Sequence, residues 1–399
     1  MKKLVFWIGI ICNLTSYAQS SEAQYGEDVL LFADGETIVF FGNSITHGGT
    51  YHSFINLFYL SRFPKRNINI INSGIAGNEL THGLARLQKD VFIHKPDVIV
   101  LMYGMNDSRV DGILPDDSEA VKYEKLLKRM ELYRNNLDSV SEIISSKGIR
   151  IIYITPTIYD DVVEVEAPVR YGGNKALGMC SEVVYEIAEK YGFPVVDFYD
   201  VMNDVNARFQ KDDPKFTVVG ADRVHPGKEG HLLMAYQFLQ AQGVPALVSK
   251  IAIDVKNELV LEQENCNVSS LSREKELVTF SAISGALPFP VLDKEACDWV
   301  PVIDDLNKEI LQVHGLSPGT FELLIDNQKI AEYTNEQLAT GVNLAICERT
   351  PQYQQAALVS KVNDLRNDLV KNRIRSLALF DYGWFKNMPD NQPLDSINL

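Results

Sequence analysis

The stretch that decides the fold of this chain is Thr37-Ile-Val-Phe-Phe-Gly-Asn-Ser44, a run of large apolar residues that stops at a glycine. Such runs are typical of strands that are covered on both faces of a parallel sheet. Gly42 permits a tight turn after the strand, and open α/β sheets bind their ligands at the carboxyl ends of strands. Ser44 is therefore a candidate nucleophile, and an N-cap or turn residue is the structural alternative.

Downstream of this strand, apolar runs alternate with amphipathic stretches as far as Gly243. Alternation of this kind predicts a doubly wound α/β sandwich around a parallel sheet. The predicted strands are 37–41, 68–72, 97–103, 149–155 and 194–198, and the predicted helices are 51–63, 121–147, one capped by Asn174, and 230–240.

Two further polar motifs follow strands of this pattern. Asn72-Ser-Gly-Ile-Ala-Gly-Asn78 comes after the second strand, and glycine lets a backbone N–H approach a ligand closely, as an oxyanion donor must. Tyr103-Gly-Met-Asn-Asp107 ends the third strand, where Asn106 offers a side-chain amide donor. The structural alternatives are a plain glycine-rich loop and an ordinary Asn-Asp turn.

The fourth motif is Gly220-Ala-Asp-Arg-Val-His-Pro-Gly227, which precedes a helix. Asp222 lies three residues before His225, a spacing that suits a carboxylate that orients an imidazole through its other ring nitrogen. A solvated pair in a surface loop is the alternative. Taken together, the four motifs supply a nucleophile, oxyanion donors, a base and an orienting carboxylate, which is the set that serine acyl transfer requires.

In this order the four motifs resemble the blocks of the SGNH hydrolase superfamily, also called GDSL esterases or lipases. The resemblance covers residues 36–243 and implies a flavodoxin-like α/β/α sandwich with a five-stranded parallel sheet. It implies a triad of Ser44, Asp222 and His225. It also implies the Gly77 N–H and the Asn106 side chain as oxyanion donors, with Gly77 preferred over Gly74. Asn43 departs from the family pattern, which usually has Asp there.

The pattern changes after Gly243. Besides a hydrolase domain at 25–245, we predict a β-rich extension at 246–330 and a helical tail at 331–399. The tail begins with a capping box at Thr334 and Gln337. Four residues at helical spacing then mark the apolar face of a second helix, whose other face is predicted to be solvated: Leu358, Val362, Leu365 and Leu369.

Residues 1–18 have the pattern of a secretory signal peptide. Lys2-Lys3 precede an apolar run, and Ser16-Tyr-Ala18 forms a small-x-small cleavage site. We therefore expect export, with a secreted or periplasmic protein after cleavage near Ala18. A retained N-terminal membrane anchor is the alternative, although the apolar run is short for a bilayer.

Composition narrows the classes of partner. The 399 residues carry a net charge of −15 at pH 7, which argues against binding to nucleic acid or to an anionic membrane surface. No stretch beyond the leader is apolar and long enough to span a bilayer, and the histidines lack metal-ligand spacing, so we expect neither a metal nor a cofactor. Four scattered cysteines are predicted to be buried thiols, with disulfide pairing as the alternative: Cys180, Cys266, Cys297 and Cys347.

These observations predict an exported serine esterase that hydrolyses an ester, an O-acetyl group in the favoured interpretation, on a carbohydrate. The carbohydrate part rests on export, on the added β-rich region and on the lack of a long hydrophobic lid. A lipid-directed esterase or lysophospholipase is the enzyme alternative. A carbohydrate-binding protein on a decayed hydrolase fold is the alternative outside enzymes.

Overall fold

The structure is a computed structural model that describes residues 29–114, 116–290 and 295–375, and the backbone of strand β1 (Lys2–Ile8). The chain forms two compact units. The α/β unit comprises residues 29–56, 66–243 and 364–375, and the β-rich unit comprises β1 together with residues 57–65, 244–290 and 295–363.

The α/β unit is built on a five-stranded parallel sheet. Its strands are β2 (Thr37–Gly42), β3 (Asn69–Gly74), β4 (Val98–Met102), β5 (Arg150–Ile154) and β6 (Val195–Val196). They lie in the order β3-β2-β4-β5-β6, and every pair is parallel. This topology confirms the predicted flavodoxin-like sandwich.

Helices connect these strands, as parallel pairing requires. They are α1 (Ser44–His47), α2 (Thr50–Arg62), α3 (Leu80–Arg86), α4 (Glu119–Ser145), α5 (Gly173–Tyr191), α6 (Tyr199–Phe209) and α7 (Lys228–Ala241). Leu87–Val91 continues α3 as a π-helical turn, and Phe92–His94 is a 3₁₀ turn.

Burial explains why these segments form these elements. All five residues of β4 are buried, as expected for a central parallel strand. The buried residues of α4 recur every three or four positions, and they join the sheet in one apolar core: Leu126, Met130, Tyr133, Leu137, Val140 and Ile144.

The prediction that Asn174 caps a helix is wrong. The N-cap lies two residues earlier, at Gly172 in a positive-φ conformation (φ 81°), and helix α5 starts at Gly173. The carboxylate of Asp161 accepts the Asn174 N–H at 2.9 Å and so takes over the capping role from the preceding loop. The Asn174 side chain instead accepts a hydrogen bond from the Tyr159 N–H at 3.1 Å.

The β-rich unit contains two sheets around a shared apolar core. The remaining strands are β7 (Leu247–Asp254), β8 (Leu259–Glu264), β9 (Cys266–Glu274), β10 (Leu277–Ser284), β11 (Lys308–His314), β12 (Thr320–Ile325), β13 (Gln328–Thr334) and β14 (Val342–Asn343). One sheet has the order β13-β12-β1-β10-β9 and the other has the order β14-β11-β7-β8. Short helices α8 (Glu295–Trp299), α9 (Val302–Leu306) and α10 (Asn335–Thr340) lie between strands, and the predicted capping box of Thr334 and Gln337 begins α10.

The predicted leader is only partly described. Lys2–Ile8 forms β1, which pairs in parallel with β10 and β12. Cleavage near Ala18 would remove β1 from between β12 and β10. Residues 9–18, including the predicted cleavage site, lie outside the described residues, and the signal peptide remains a prediction.

The last helix, α11 (Pro351–Leu369), is not oriented as its sequence predicts. The expected apolar face is exposed, with Leu358 and Val362 at 65% and 66% relative exposure. Its buried residues are instead mostly small or polar, such as Ala356 and Ser360. Arg366, which was expected on the solvated face, donates a hydrogen bond to the Ile70 carbonyl at 2.7 Å.

No helix in residues 29–114, 116–290 and 295–375 is long and apolar enough to cross a bilayer. Cys180, Cys266 and Cys347 are free thiols, and Cys180 is fully buried, whereas Cys266, Cys297 and Cys347 are partly buried.

Candidate active site

Ser44 lies at the turn between β2 and α1. Asn43 caps the helix, because its side-chain oxygen accepts the Ile45 N–H at 3.1 Å. A Cβ at Gly42 would lie 2.4 Å from Thr46 Oγ1 and 2.7 Å from the Met102 carbonyl oxygen. Glycine is therefore required at Gly42, and this tight passage sets the position of Ser44 at the end of the strand.

The structure brings Ser44, His225 and Asp222 into one chain of hydrogen bonds. Ser44 Oγ lies 2.8 Å from His225 Nε2, and His225 Nδ1 lies 2.5 Å from Asp222 Oδ2. When the Nδ1 proton is donated to Asp222, Nε2 is free to accept the serine hydroxyl proton. This arrangement suits a base that activates a nucleophile.

The carboxylate of Asp222 is held on both oxygens. Its Oδ1 accepts the N–H groups of Val224 and His225, both at 3.0 Å. Partial burial raises the pKa of Asp222, but the hydrogen bonds from the His225 side chain and from the backbone outweigh burial and leave that pKa below its usual value. Asp222 therefore stays ionised, as an orienting carboxylate must.

Arg223, a residue that the sequence analysis did not single out, fixes the Asp222–His225 turn. Its φ is +69°, a conformation that L-residues rarely adopt. Its guanidinium is buried and donates to the carbonyls of Ala167 at 2.7 Å and Asp160 at 2.8 Å. These contacts explain how the strained backbone is maintained.

The structure separates the two glycines of the second motif. A Cβ at Gly74 would lie 2.1 Å from the His47 nitrogen, so Gly74 is required for close packing. Gly77 has a φ of +76° and open space where a Cβ would be. Its N–H donates to no other residue in the described ranges of the chain. Gly77 is thus the glycine whose N–H is available to a ligand.

Asn106 is held by its own amide. Its Nδ2 donates to the Asn78 carbonyl at 2.9 Å. Because an amide nitrogen carries two hydrogens, the second remains available to another acceptor. Ser44, Gly77 and Asn106 follow the neighbouring strands β2, β3 and β4, so all three lie at the carboxyl end of the sheet.

Asp107, next to Asn106, joins two of these loops. Its Oδ1 accepts the Leu80 N–H at 2.7 Å, and its Oδ2 accepts the Gly104 N–H at 3.0 Å. Burial raises the pKa of Asp107 to about 6. The sequence offered no signal for this role beyond the Asn-Asp turn itself.

Three histidines near the site are neutral. Burial, followed by the charges of Arg375 and Lys371, lowers the pKa of His47 to about 4, and His47 Nδ1 accepts the Ala76 N–H at 3.3 Å. Burial lowers the pKa of His52 and of His231 to about 3. The part of the chain that the structure describes has no group of three or more His, Cys, Asp or Glu placed to hold a metal ion.

A buried ionic cluster also escaped sequence analysis. It consists of Arg86, Asp90 and Arg375, all at most 6% exposed. Arg86 donates to the Gly42 carbonyl at 3.0 Å and to the Tyr103 hydroxyl at 2.8 Å. The spacing of Arg86 and Asp90 was a local signal for an ion pair. Arg375, 285 residues after Asp90, had none.

Comparisons with known proteins agree with this geometry. The model of the GDSL-like Lipase/Acylhydrolase family matches residues 40–233. The solved structure of BT4096, a gut microbial diltiazem-metabolizing enzyme, is 32% identical, with 90% of this chain and 83% of that chain covered and a TM-score of 0.84. This chain belongs to the GDSL-like lipase/acylhydrolase family. Its membership confirms the SGNH resemblance and makes the protein a carboxylic-ester hydrolase.

Two curated proteins are also similar to this chain. The acetylxylan esterase of Geobacillus stearothermophilus is 27% identical over 226 residues, which are 52% of this chain and 94% of that protein. The uncharacterized lipoprotein YqeF of Bacillus subtilis is 28% identical over 128 residues, which are 30% of this chain and 48% of that protein.

Proposed function

We propose that this member of the GDSL-like family is an exported esterase that removes acetyl groups from a carbohydrate by a serine mechanism. The observation that carries the proposal is the continuous hydrogen-bond chain Asp222–His225–Ser44, with distances of 2.5 and 2.8 Å. Gly77 and Asn106 follow the two strands next to β2, so the Gly77 N–H and the Asn106 side-chain amide lie at the same carboxyl end of the sheet as Ser44.

The mechanism follows from these atoms. Ser44 Oγ attacks the ester carbonyl while its proton passes to His225 Nε2, and the oxyanion is held by the N–H groups of Gly77 and Ser44 and by the Asn106 amide. Each such donor is worth about 3 kcal/mol in the transition state. As the ester bond breaks, His225 gives the proton to the leaving sugar oxygen, which departs as a hydroxyl group. Water, deprotonated by His225, then attacks the acetyl-Ser44 ester, and His225 returns that proton to Ser44 Oγ as acetate leaves.

A cavity in the α/β unit supports a saccharide substrate. Its volume is about 350 Å³, and its lining includes Tyr123, Leu126, Asp161, Arg170, Tyr171 and Lys175. Arg170 donates to the Met105 carbonyl at 3.2 Å and to Ser108 Oγ at 3.3 Å, so the cavity borders the loop that carries Asn106. Aromatic rings combined with a few charged groups provide both the stacking and the hydrogen bonds that hold a sugar ring. The similarity to an acetylxylan esterase adds a second, independent support.

Export is the part of the proposal that rests on sequence alone. The intact mass of the protein recovered outside the cytoplasm tests it directly. We expect a mature chain that begins near Gln19, and a recovered chain that still contains residues 1–18 would refute cleavage.

A substrate panel tests the reaction and the substrate class together. We expect turnover of p-nitrophenyl acetate and of acetylated xylo-oligosaccharides, and diltiazem is included because of the structural neighbour that metabolises it. Tyr171→Ala, in the cavity, should lower kcat/KM on the oligosaccharide and leave p-nitrophenyl acetate unaffected, while Leu132→Ala, an exposed residue of α4, is the matched control. Equal effects of Tyr171→Ala on both substrates would remove the support from the cavity. No turnover of any ester would favour a binding protein on a decayed fold.

A further inference from the structure

Two arginines within residues 364–375 bind the outer side of β3, the edge strand of the parallel sheet. Among the strands that the structure describes, β3 is an edge strand, so its outward carbonyls face no partner strand there. Arg366 donates to the Ile70 carbonyl at 2.7 Å, and Arg375 donates to the Gly74 carbonyl at 3.0 Å. Carbonyls four residues apart on a strand point to the same edge. Two arginines that lie about 300 residues further along the chain therefore close this edge.

Arg375 is held firmly in place. Its exposure is 4%, and both terminal nitrogens of its guanidinium contact the Asp90 carboxylate, a bidentate pairing that restricts orientation. Asp90 also accepts a hydrogen bond from Ser73 Oγ at 2.8 Å and pairs with Arg86. Burial raises the pKa of Asp90, but the hydrogen bond and charge of Arg375, and then the charge of Arg86, outweigh burial and lower that pKa, so the carboxylate is ionised.

This cluster touches the backbone immediately before the site residues. Arg375 holds the carbonyl of Gly74, three residues before Gly77, at the point where β3 ends and the loop begins. Arg86 holds the carbonyl of Gly42, two residues before Ser44. The loop after β3 has a further anchor in the hydrogen bond from the Ala76 N–H to His47. The Gly77 N–H thus projects from a short loop whose start is fixed by Arg375.

We propose that Arg375 is a positioning residue for the reaction, which fixes the loop that presents the Gly77 N–H to the oxyanion. This inference rests on the proposed role of Gly77 as an oxyanion donor. The family model matches residues 40–233, and Arg375 lies outside that region. A segment beyond the matched region would thus help to build the catalytic site. Arg375 contacts none of the reacting atoms. It would affect the rate by fixing the position of the Gly77 N–H, which stabilises mainly the transition state.

The expected signature is a loss of kcat without a loss of substrate binding. A displacement of about 1 Å in a catalytic group costs on the order of 100-fold in rate. We therefore expect Arg375→Met to lower kcat on p-nitrophenyl acetate by at least about 10-fold, with KM changed less than about twofold. Affinity for a boronic acid, which forms a tetrahedral adduct with the serine, should fall in parallel with kcat. Added guanidinium ion should restore part of the activity of Arg375→Ala.

Two variants of the same segment serve as controls. Arg366→Met removes the other edge cap, four residues from Gly74 along β3, and should lower Tm while kcat is kept. Arg373→Ala changes an exposed arginine two residues away and should alter neither quantity. Arg375→Lys keeps the charge beside Asp90 but lacks the fork that reaches Asp90 and Gly74 together, so its kcat should lie between those of the wild type and Arg375→Met.

Retention of wild-type kcat and boronate affinity by folded Arg375→Met would overturn the inference. If Arg375→Met does not fold, Arg375→Lys decides, and wild-type kcat in that variant would likewise overturn it. These outcomes differ from a failure of the proposed function, in which either the wild type would turn over no ester or Ser44→Ala would retain activity.

Discussion

The role of Asn106 leads to a prediction whose size follows from the structure. Asn106→Ala removes an amide whose one hydrogen is bound to the Asn78 carbonyl at 2.9 Å and whose other hydrogen is free for the oxyanion. Loss of one such donor costs about 3 kcal/mol in the transition state, which corresponds to roughly 100-fold in kcat. Both acylation and deacylation pass through an oxyanion, so kcat should fall whichever step limits turnover.

Steady-state kinetics on p-nitrophenyl acetate measure this effect. We expect KM to change little, because a neutral ester carbonyl gains much less from the donor than the oxyanion does. Loss of the bond to Asn78 should cost about 1 kcal/mol of folding stability, which appears in Tm and not in kcat. Asn136→Ala, which removes an amide bound to Thr81 Oγ1 at 2.8 Å, is the matched control. A rise in KM at constant kcat would refute the reasoning, because it would make Asn106 a substrate-binding group.

Three further predictions follow. Acetyl esters should be cleaved much faster than esters of eight carbons or more. An apolar acyl tunnel would instead add about 0.8 kcal/mol of binding free energy per buried methylene. A kcat/KM that climbs steadily from two to eight carbons would therefore establish the lipid alternative. Asp107→Asn should lower both Tm and kcat. The two carboxylate oxygens of Asp107 accept the Leu80 and Gly104 N–H groups, whereas an amide has only one acceptor oxygen. Unchanged kinetics would show that Asp107 does not position the site. The contribution of His52 and His231 to folding stability should fall as pH drops below about 6.5, because both histidines, with pKa values lowered to about 3, stay neutral when folded and bind protons when unfolded. The loss is about 2 kcal/mol per histidine at pH 5 relative to pH 8. When both proteins are unfolded with urea at the two pH values, the change in unfolding free energy should therefore differ by about 2 kcal/mol between the wild type and His231→Gln.

The parts of the site that sequence could predict are those set by local chain geometry. Ser44, Gly77 and Asn106 follow consecutive strands of a parallel sheet, and parallel strands bring their carboxyl ends to one edge. Asp222 and His225 are close in sequence, so their pairing needed only a turn. The preference for Gly77 over Gly74 came from the family resemblance and stays a prediction; the structure adds that a Cβ has open space at Gly77 and would clash with His47 at Gly74.

What sequence could not predict depends on contacts between distant segments. Nothing near Arg375 indicates that it lies on Asp90 and Gly74, because that contact spans 285 residues and more of chain. Helix α11 has an apolar stripe, yet its small and polar side is buried, so burial there is decided by tertiary packing and not by periodicity. The start of α5 was misassigned to Asn174 because the carboxylate that binds its first turn, from Asp161, lies in the preceding loop.

The central claim is that Ser44 is the nucleophile of an ester hydrolase, and covalent labelling tests it most directly. The protein is treated with a fluorophosphonate, digested, and mapped by mass spectrometry. We predict a single adduct on Ser44, absent from Ser44→Ala, with labelling strongly slowed in His225→Ala because the base that activates the hydroxyl at 2.8 Å is missing. An adduct on another residue, or ester turnover at the wild-type rate by Ser44→Ala, would contradict the account.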